Sequence, residues 1–269
     1  MTTLTTTHPV PATVTPARTF DPIPFSRVVS VELRKMFDTR SGFWMLCSIG
    51  ILATLATGAV VLFAPDDELS YELFASAIGI PMTIVLPVIA ILSVTSEWSQ
   101  RTGLTTFTFV AHRGQVILAK ALCAVGVGVA SILVAAAIGA VGNVAGSALA
   151  GVDVVWNVAP LELTLIVVAN VLGLLVGFML GVLLRSSAAA IVAYFVYGFV
   201  LGGLTALLAA TQQWFADLQP WVDFNYAQAV LFEHVPSAEQ WAQLGVSGFF
   251  WLALPLAIGT RVVLRSEVK

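Results

Sequence analysis

Residues 161–210 read LELTLIVVANVLGLLVGFMLGVLLRSSAAAIVAYFVYGFVLGGLTALLAA. Two apolar runs, Leu161–Leu184 and Ala188–Ala210, are parted only by Arg185, Ser186 and Ser187. A helix rises 1.5 Å per residue, so about 20 apolar residues cross the roughly 30 Å hydrocarbon layer of a bilayer. Two such runs joined by three residues form a membrane hairpin. Four more runs of this kind lie outward from it: Phe43–Ala64, Leu73–Val94, Val116–Val141 and Leu244–Leu264. Arg261 lies close enough to the end of the last to snorkel. The whole chain agrees. Of its 269 residues 58% are hydrophobic and only 10% charged, with a mean hydropathy of +0.95. Soluble domains carry about 25% charged residues. The predicted fold class is an all-α integral membrane protein of six transmembrane helices.

Charge placement predicts the orientation. Arg18, Arg27, Arg34, Lys35 and Arg40 precede the first span. Arg101, Arg113 and Lys120 lie around the connection between spans two and three, Arg185 between four and five, and Arg261, Arg265 and Lys269 at the end. These are all 12 Lys and Arg of the chain, and the alternate loops carry none. Basic residues mark the cytoplasmic side, so both termini are expected there, in a bacterial cell membrane. The opposite loops are acidic: Asp66, Asp67, Glu68 and Glu72, then Asp153, then Asp217, Asp223, Glu233 and Glu239.

Residues 1–24 are rich in Thr and Pro without an apolar stretch, which predicts a disordered cytoplasmic tail rather than a leader peptide. Residues 25–40 read as an amphipathic helix lying in the membrane interface. Phe25, Val28, Val29, Leu33, Met36 and Phe37 share a stripe, with Arg27, Arg34 and Lys35 mostly off it, facing anionic lipid. Residues 97–115 mix Glu97, Arg101 and Arg113 with Trp98, Phe107 and Phe109, either a docking surface or a solvated loop. Residues 211–243 carry Trp214, Phe215, Trp221, Phe224, Tyr226, Phe232 and Trp241, and are expected to fold onto the outer interface as one or two short helices.

Within the spans, Gly173, Gly177 and Gly181 are four apart, a spacing that lets helix backbones approach. Pro81 and Pro87 each remove a backbone donor from span two. Asn170, near the middle of span four, either bonds to another helix or faces a cavity, and is the candidate translocation-path residue. Lys120 is expected to snorkel to the cytoplasmic interface. The two cysteines, Cys47 and Cys123, suggest neither a disulfide nor a metal site, and the histidines are scattered. No P-loop or hydrolase motif occurs, so no cofactor and no catalytic residue is predicted in this chain. No ionisable residue lies at the centre of a span, which argues against a proton- or sodium-driven pump.

The run from Ser96 to Arg113, SEWSQRTGLTTFTFVAHR, followed by Lys120, resembles the ABC-2 family of ABC transporter permeases, most closely in its actinobacterial form. The resemblance extends over residues 25–269 through the order of amphipathic helix, six spans and long last outer loop. Ala111 stands where the family has a proline, and Leu104 where it often has a threonine. The resemblance implies an exporter's membrane subunit that dimerises with a second permease copy and works with a soluble ABC ATPase carrying ATP and Mg. Glu97, Trp98, Arg101, Gly103, His112 and Arg113 would form the loop that couples to that ATPase, and residues 25–40 the interfacial elbow. Two other readings stay open: a transporter or channel that needs no ATPase, and a scaffold or assembly protein without transport.

Overall fold

The structure is a computed structural model that describes residues 23–38, 40–99 and 113–265. Among these residues it is all-helical, without strands. Helix α1 spans Phe25–Asp38, α2 Arg40–Phe63, α3 Tyr71–Ser99, α4 Arg113–Ala150 and α5 Pro160–Leu184. Helix α6 spans Ser187–Thr211, α7 Gln213–Val222, α8 Phe224–Glu233 and α9 Ala238–Arg265. Six of them (α2, α3, α4, α5, α6 and α9) are long and apolar enough to cross a membrane. The chain is an all-α integral membrane protein.

The helix ends follow local chemistry. Pro160 opens α5, where its missing N–H costs nothing, and the Glu162 carboxylate accepts the Ala159 N–H at 2.8 Å. Helix α5 closes on Arg185, which takes the left-handed conformation (φ 53°) and donates its N–H to the Gly181 carbonyl at 3.0 Å. Ser186 then caps α6. Ser237 and Gln240 form a reciprocal capping box on α9.

Helices α3 and α5 form the centre. A Cβ on Gly177 would stand 2.5 Å from the Pro87 carbonyl oxygen, and one on Gly181 3.3 Å from that of Ile91. The two backbones therefore touch, and only glycine permits it. Met82, Leu86, Ala90 and Val94 of α3 pack there against Leu174, Phe178 and Val182 of α5. Helix α4 closes this core from one side. Helix α6 stays at the rim: Ala190 is its one buried residue.

Two segments depart from the sequence reading. Helix α4 does not stop near Val141 but runs on to Ala150, about 57 Å in all. Its glycines at 142 and 146 lie within the helix, with Phe74, Thr57 and Val61 in the space a Cβ would take. The chain then turns on Gly151 (φ 72°) and folds back along α4, where the Val155 carbonyl accepts from Tyr71 N–H and Asn143 Nδ2. The second departure is the aromatic segment 211–243. It forms the two short helices expected, but as a hairpin of α7 and α8 packed into the bundle against α5 and α6. Its tip, Asp223, accepts the Thr205 hydroxyl at 2.6 Å, six residues or about 9 Å below the end of α6. Gln228 of α8 donates to the Ala169 carbonyl at 2.8 Å, well inside α5. Phe224, Ala227 and Leu231 bury against Leu165, Ala169 and Val176.

Candidate functional site

Two regions carry chemistry that a bare helix bundle does not need. The first joins α1 to the start of α4. Val28 packs on Val116 and Ala119, with Phe25 and Val29 beside it. On the same face sits Glu32, 4% exposed. Its carboxylate accepts from Lys120 Nζ of α4 at 2.5 Å and from Lys35 Nζ at 2.6 Å. Lys120 also donates to the Ser93 carbonyl of α3 at 3.4 Å. Lys120 therefore does not snorkel to water. It is buried, and it ties three helices together. Sequence reasoning passed over Glu32, although an acid on the apolar stripe of α1 and a lysine inside an apolar run of α4 are each conspicuous, and the two signs match.

The other residues expected on the interfacial helix divide by face. Arg34 is exposed and Phe37 half-exposed; Lys35 pairs with Glu32. Leu33 and Phe37, expected on the apolar stripe of the interfacial helix, line an open apolar groove of about 620 Å³ with Leu46 and Ile49 of α2 and Leu122 of α4. Of the coupling-loop residues, Trp98 packs on the central core from the last turn of α3. Glu97 and Arg113 fall in the terminal turns of α3 and α4. Arg101, Gly103 and His112 lie outside the described residues.

The second region is a cavity of about 230 Å³ inside the bundle, between α3, α5, α6 and α8. Asn170 lines it, 4% exposed. Its Nδ2 donates to the Ile166 carbonyl of its own helix, while its Oδ1 is buried without a partner among the described residues. Tyr197 also lines the cavity, and its hydroxyl is likewise buried without a partner among the described residues. Such groups cost about 1–3 kcal/mol each when left unpaired, so their persistence calls for an explanation.

The backbone around the cavity is equally irregular. Pro87 lacks the N–H that would close the helix onto the Thr83 carbonyl, and the Tyr194 hydroxyl of α6 donates to that carbonyl instead, at 2.6 Å. Helix α6 widens to a π-helical stretch over Val196–Leu201, which carries Tyr197, Gly198 and Phe199 onto the wall. Stretches of this kind concentrate at functional sites. Asn225 and Gln228 close one side from the α7–α8 hairpin. The hairpin is itself fixed by Asp223, whose carboxylate accepts the Asn225 and Tyr226 N–H groups and lies 3.4 Å from Gln219 Nε2. Asp223, read from the sequence as one of several loop acids, is thus a buried cap at the hairpin tip.

Asn170 was the one residue read from the sequence as a candidate to face a cavity; Pro87, Gly173 and Phe232, also on the wall, stood out there for other reasons. Thr83, Tyr194, Tyr197, Asn225 and Gln228 were not read so, because two of them arrive on a loop whose return no periodicity announces. No family model matches the chain, and no curated protein matches it.

Proposed function

We propose that the chain is the membrane-spanning permease subunit of an ABC transporter, an exporter, working with a separate soluble ATPase and a second permease copy in a bacterial cell membrane. The observation that carries this reading is the Glu32–Lys120 ion pair. It links the interfacial helix to α4 seven residues beyond Arg113, at the end of the segment that resembles a coupling loop. A force delivered to residues 97–113 from the cytoplasm reaches α1, α3 and α4 together through Lys120 and its partners. The bundle behind them contains a cavity bounded by a helix with an internal proline and by a π-helical stretch, elements at which helices bend and rearrange. The nearly uncovered α6 offers its apolar face to the second copy.

ATP hydrolysis belongs to the partner, and this chain converts it into movement of the helices around the cavity. In membranes holding the complex, Glu97→Gln and Arg101→Ala are expected to lower transport while ATP hydrolysis continues, with the fold intact. Wild-type transport by both variants overturns the coupling role of the loop. A channel or ATPase-independent carrier has no observation of its own in the structure, and neither has a scaffold.

A further inference from the structure

The open apolar groove between α1, α2 and α4 has a definite place in the fold. Helix α1 packs on the first turns of α4, with Val28 on Val116 and Ala119 and Glu32 on Lys120. From there the groove runs along α4 from Leu122 to Val134, about 18 Å at 1.5 Å per residue. It therefore starts within one turn of Lys120 and reaches about as deep as one leaflet, half of a hydrocarbon layer of roughly 30 Å. Gly50 of α2 and Gly126 of α4 line it, and a Cβ built on either meets no atom within 4 Å. Both glycines thus face open space.

The lining suits a hydrocarbon chain. Leu33, Phe37, Leu122 and Val134 are 41–55% exposed along it. Only Cys123 and Ser131 bring a side-chain heteroatom to the wall, and the Cys123 thiol already donates to the Val29 carbonyl at 3.5 Å. The end of the groove nearest α1 is charged instead. Arg34 lies about 60° around α1 from Phe37, and Arg27 stands two turns before it on the same side. Both are exposed, and neither makes an ion pair among the described residues. Asp38, the one exposed acid of α1, ends the helix and pairs with neither; Lys35 is held on Glu32. Unpaired positive charge beside an apolar groove one leaflet deep matches an anionic lipid, with its chain below and its phosphate above. The second copy has a different face, because α6 lines no part of this groove. We propose that the groove holds one acyl chain of an anionic phospholipid whose headgroup lies against Arg27 and Arg34.

The proposal needs the membrane fold and not the permease reading, and the test uses the full chain alone. Delipidated protein in mild detergent is titrated with an equimolar mixture of dioleoyl phosphatidylglycerol and dioleoyl phosphatidylcholine, and retained lipid is counted by native mass spectrometry. One phosphatidylglycerol is expected to saturate first, favoured over phosphatidylcholine by about fivefold or more. The double variant Arg27→Gln, Arg34→Gln is expected to lose that preference while still holding a lipid chain. Gly50→Phe fills the groove from a position with open space, and is expected to lose the saturable lipid while keeping the wild-type circular dichroism. In the wild type, phosphatidylglycerol with a mid-chain diazirine is expected to label residues 122–134 and 46–50 on irradiation. Equal retention of the two lipids, wild-type preference in the arginine variant, or wild-type retention by folded Gly50→Phe overturns the proposal. So does label spread evenly over the apolar faces, the mark of annular lipid only. None of these outcomes bears on whether an ATPase partner exists.

Discussion

Replacing Gly177 by alanine tests how closely α3 and α5 are joined. The added methyl stands 2.5 Å from the Pro87 carbonyl oxygen, 2.8 Å from its Cα and 2.8 Å from its Cβ, where ordinary contacts begin near 3.4 Å. Pro87 is backbone and ring, so no side chain can swing aside. The helices must part locally by close to an ångström. Overpacking of this kind costs about 1–3 kcal/mol. A gap of 0.5–1 Å also forfeits a quarter to a half of each dispersion contact along the seam. Against this stands a helix-propensity gain of about 1 kcal/mol for Gly→Ala. A net loss of about 2 kcal/mol follows, or a drop of roughly 4–8 °C in apparent Tm at the scaling of a 150–250-residue domain. Gly126→Ala is the control: no atom lies within 4 Å of its added methyl, so the propensity gain acts alone. Both variants are compared with wild type in one detergent by thermal unfolding followed with tryptophan fluorescence. Gly177→Ala as stable as Gly126→Ala refutes the close approach of α3 and α5.

Lys120→Met leaves the Glu32 carboxylate buried without its main partner and is expected to cost about 3–5 kcal/mol, while the double variant with Glu32→Gln regains most of it, as a denaturant titration of all three forms would show. Asp223→Ala removes the cap of α8 and the acceptor for Thr205, a loss of about 2 kcal/mol that limited proteolysis reads as faster cleavage in residues 213–233 alone. Arg185→Gly relieves the left-handed backbone between α5 and α6 and is expected to raise stability by about 1 kcal/mol in the same thermal assay.

The six spans were legible because a bilayer imposes one demand, length of apolar helix, and the sequence meets it six times. Glycines 177 and 181 were legible as contact points from their spacing alone, although not as contacts with Pro87 and Ile91. What could not be read was pairing between distant segments. Pro87 announces a freed carbonyl, but nothing in the sequence says that Tyr194 satisfies it. Glu32 and Lys120 are each anomalous in place, yet 88 residues separate them, and neither names the other. The burial of the α7–α8 hairpin was missed for a related reason: aromatic residues suit both an interface and a buried hairpin, and Asp223 looks like any other loop acid until Thr205 and the α8 N–H groups surround it. The fold was therefore readable from composition and period, while the cavity depends on which helices meet.

The permease reading is tested most directly by what the protein holds in its own membrane. The tagged chain is drawn from native membranes in mild detergent, and the proteins that accompany it are identified by mass spectrometry. The reading predicts a near-stoichiometric soluble subunit carrying a Walker A P-loop, lost when Glu97 and Arg101 are both replaced. A folded preparation that repeatedly brings no such ATPase contradicts it.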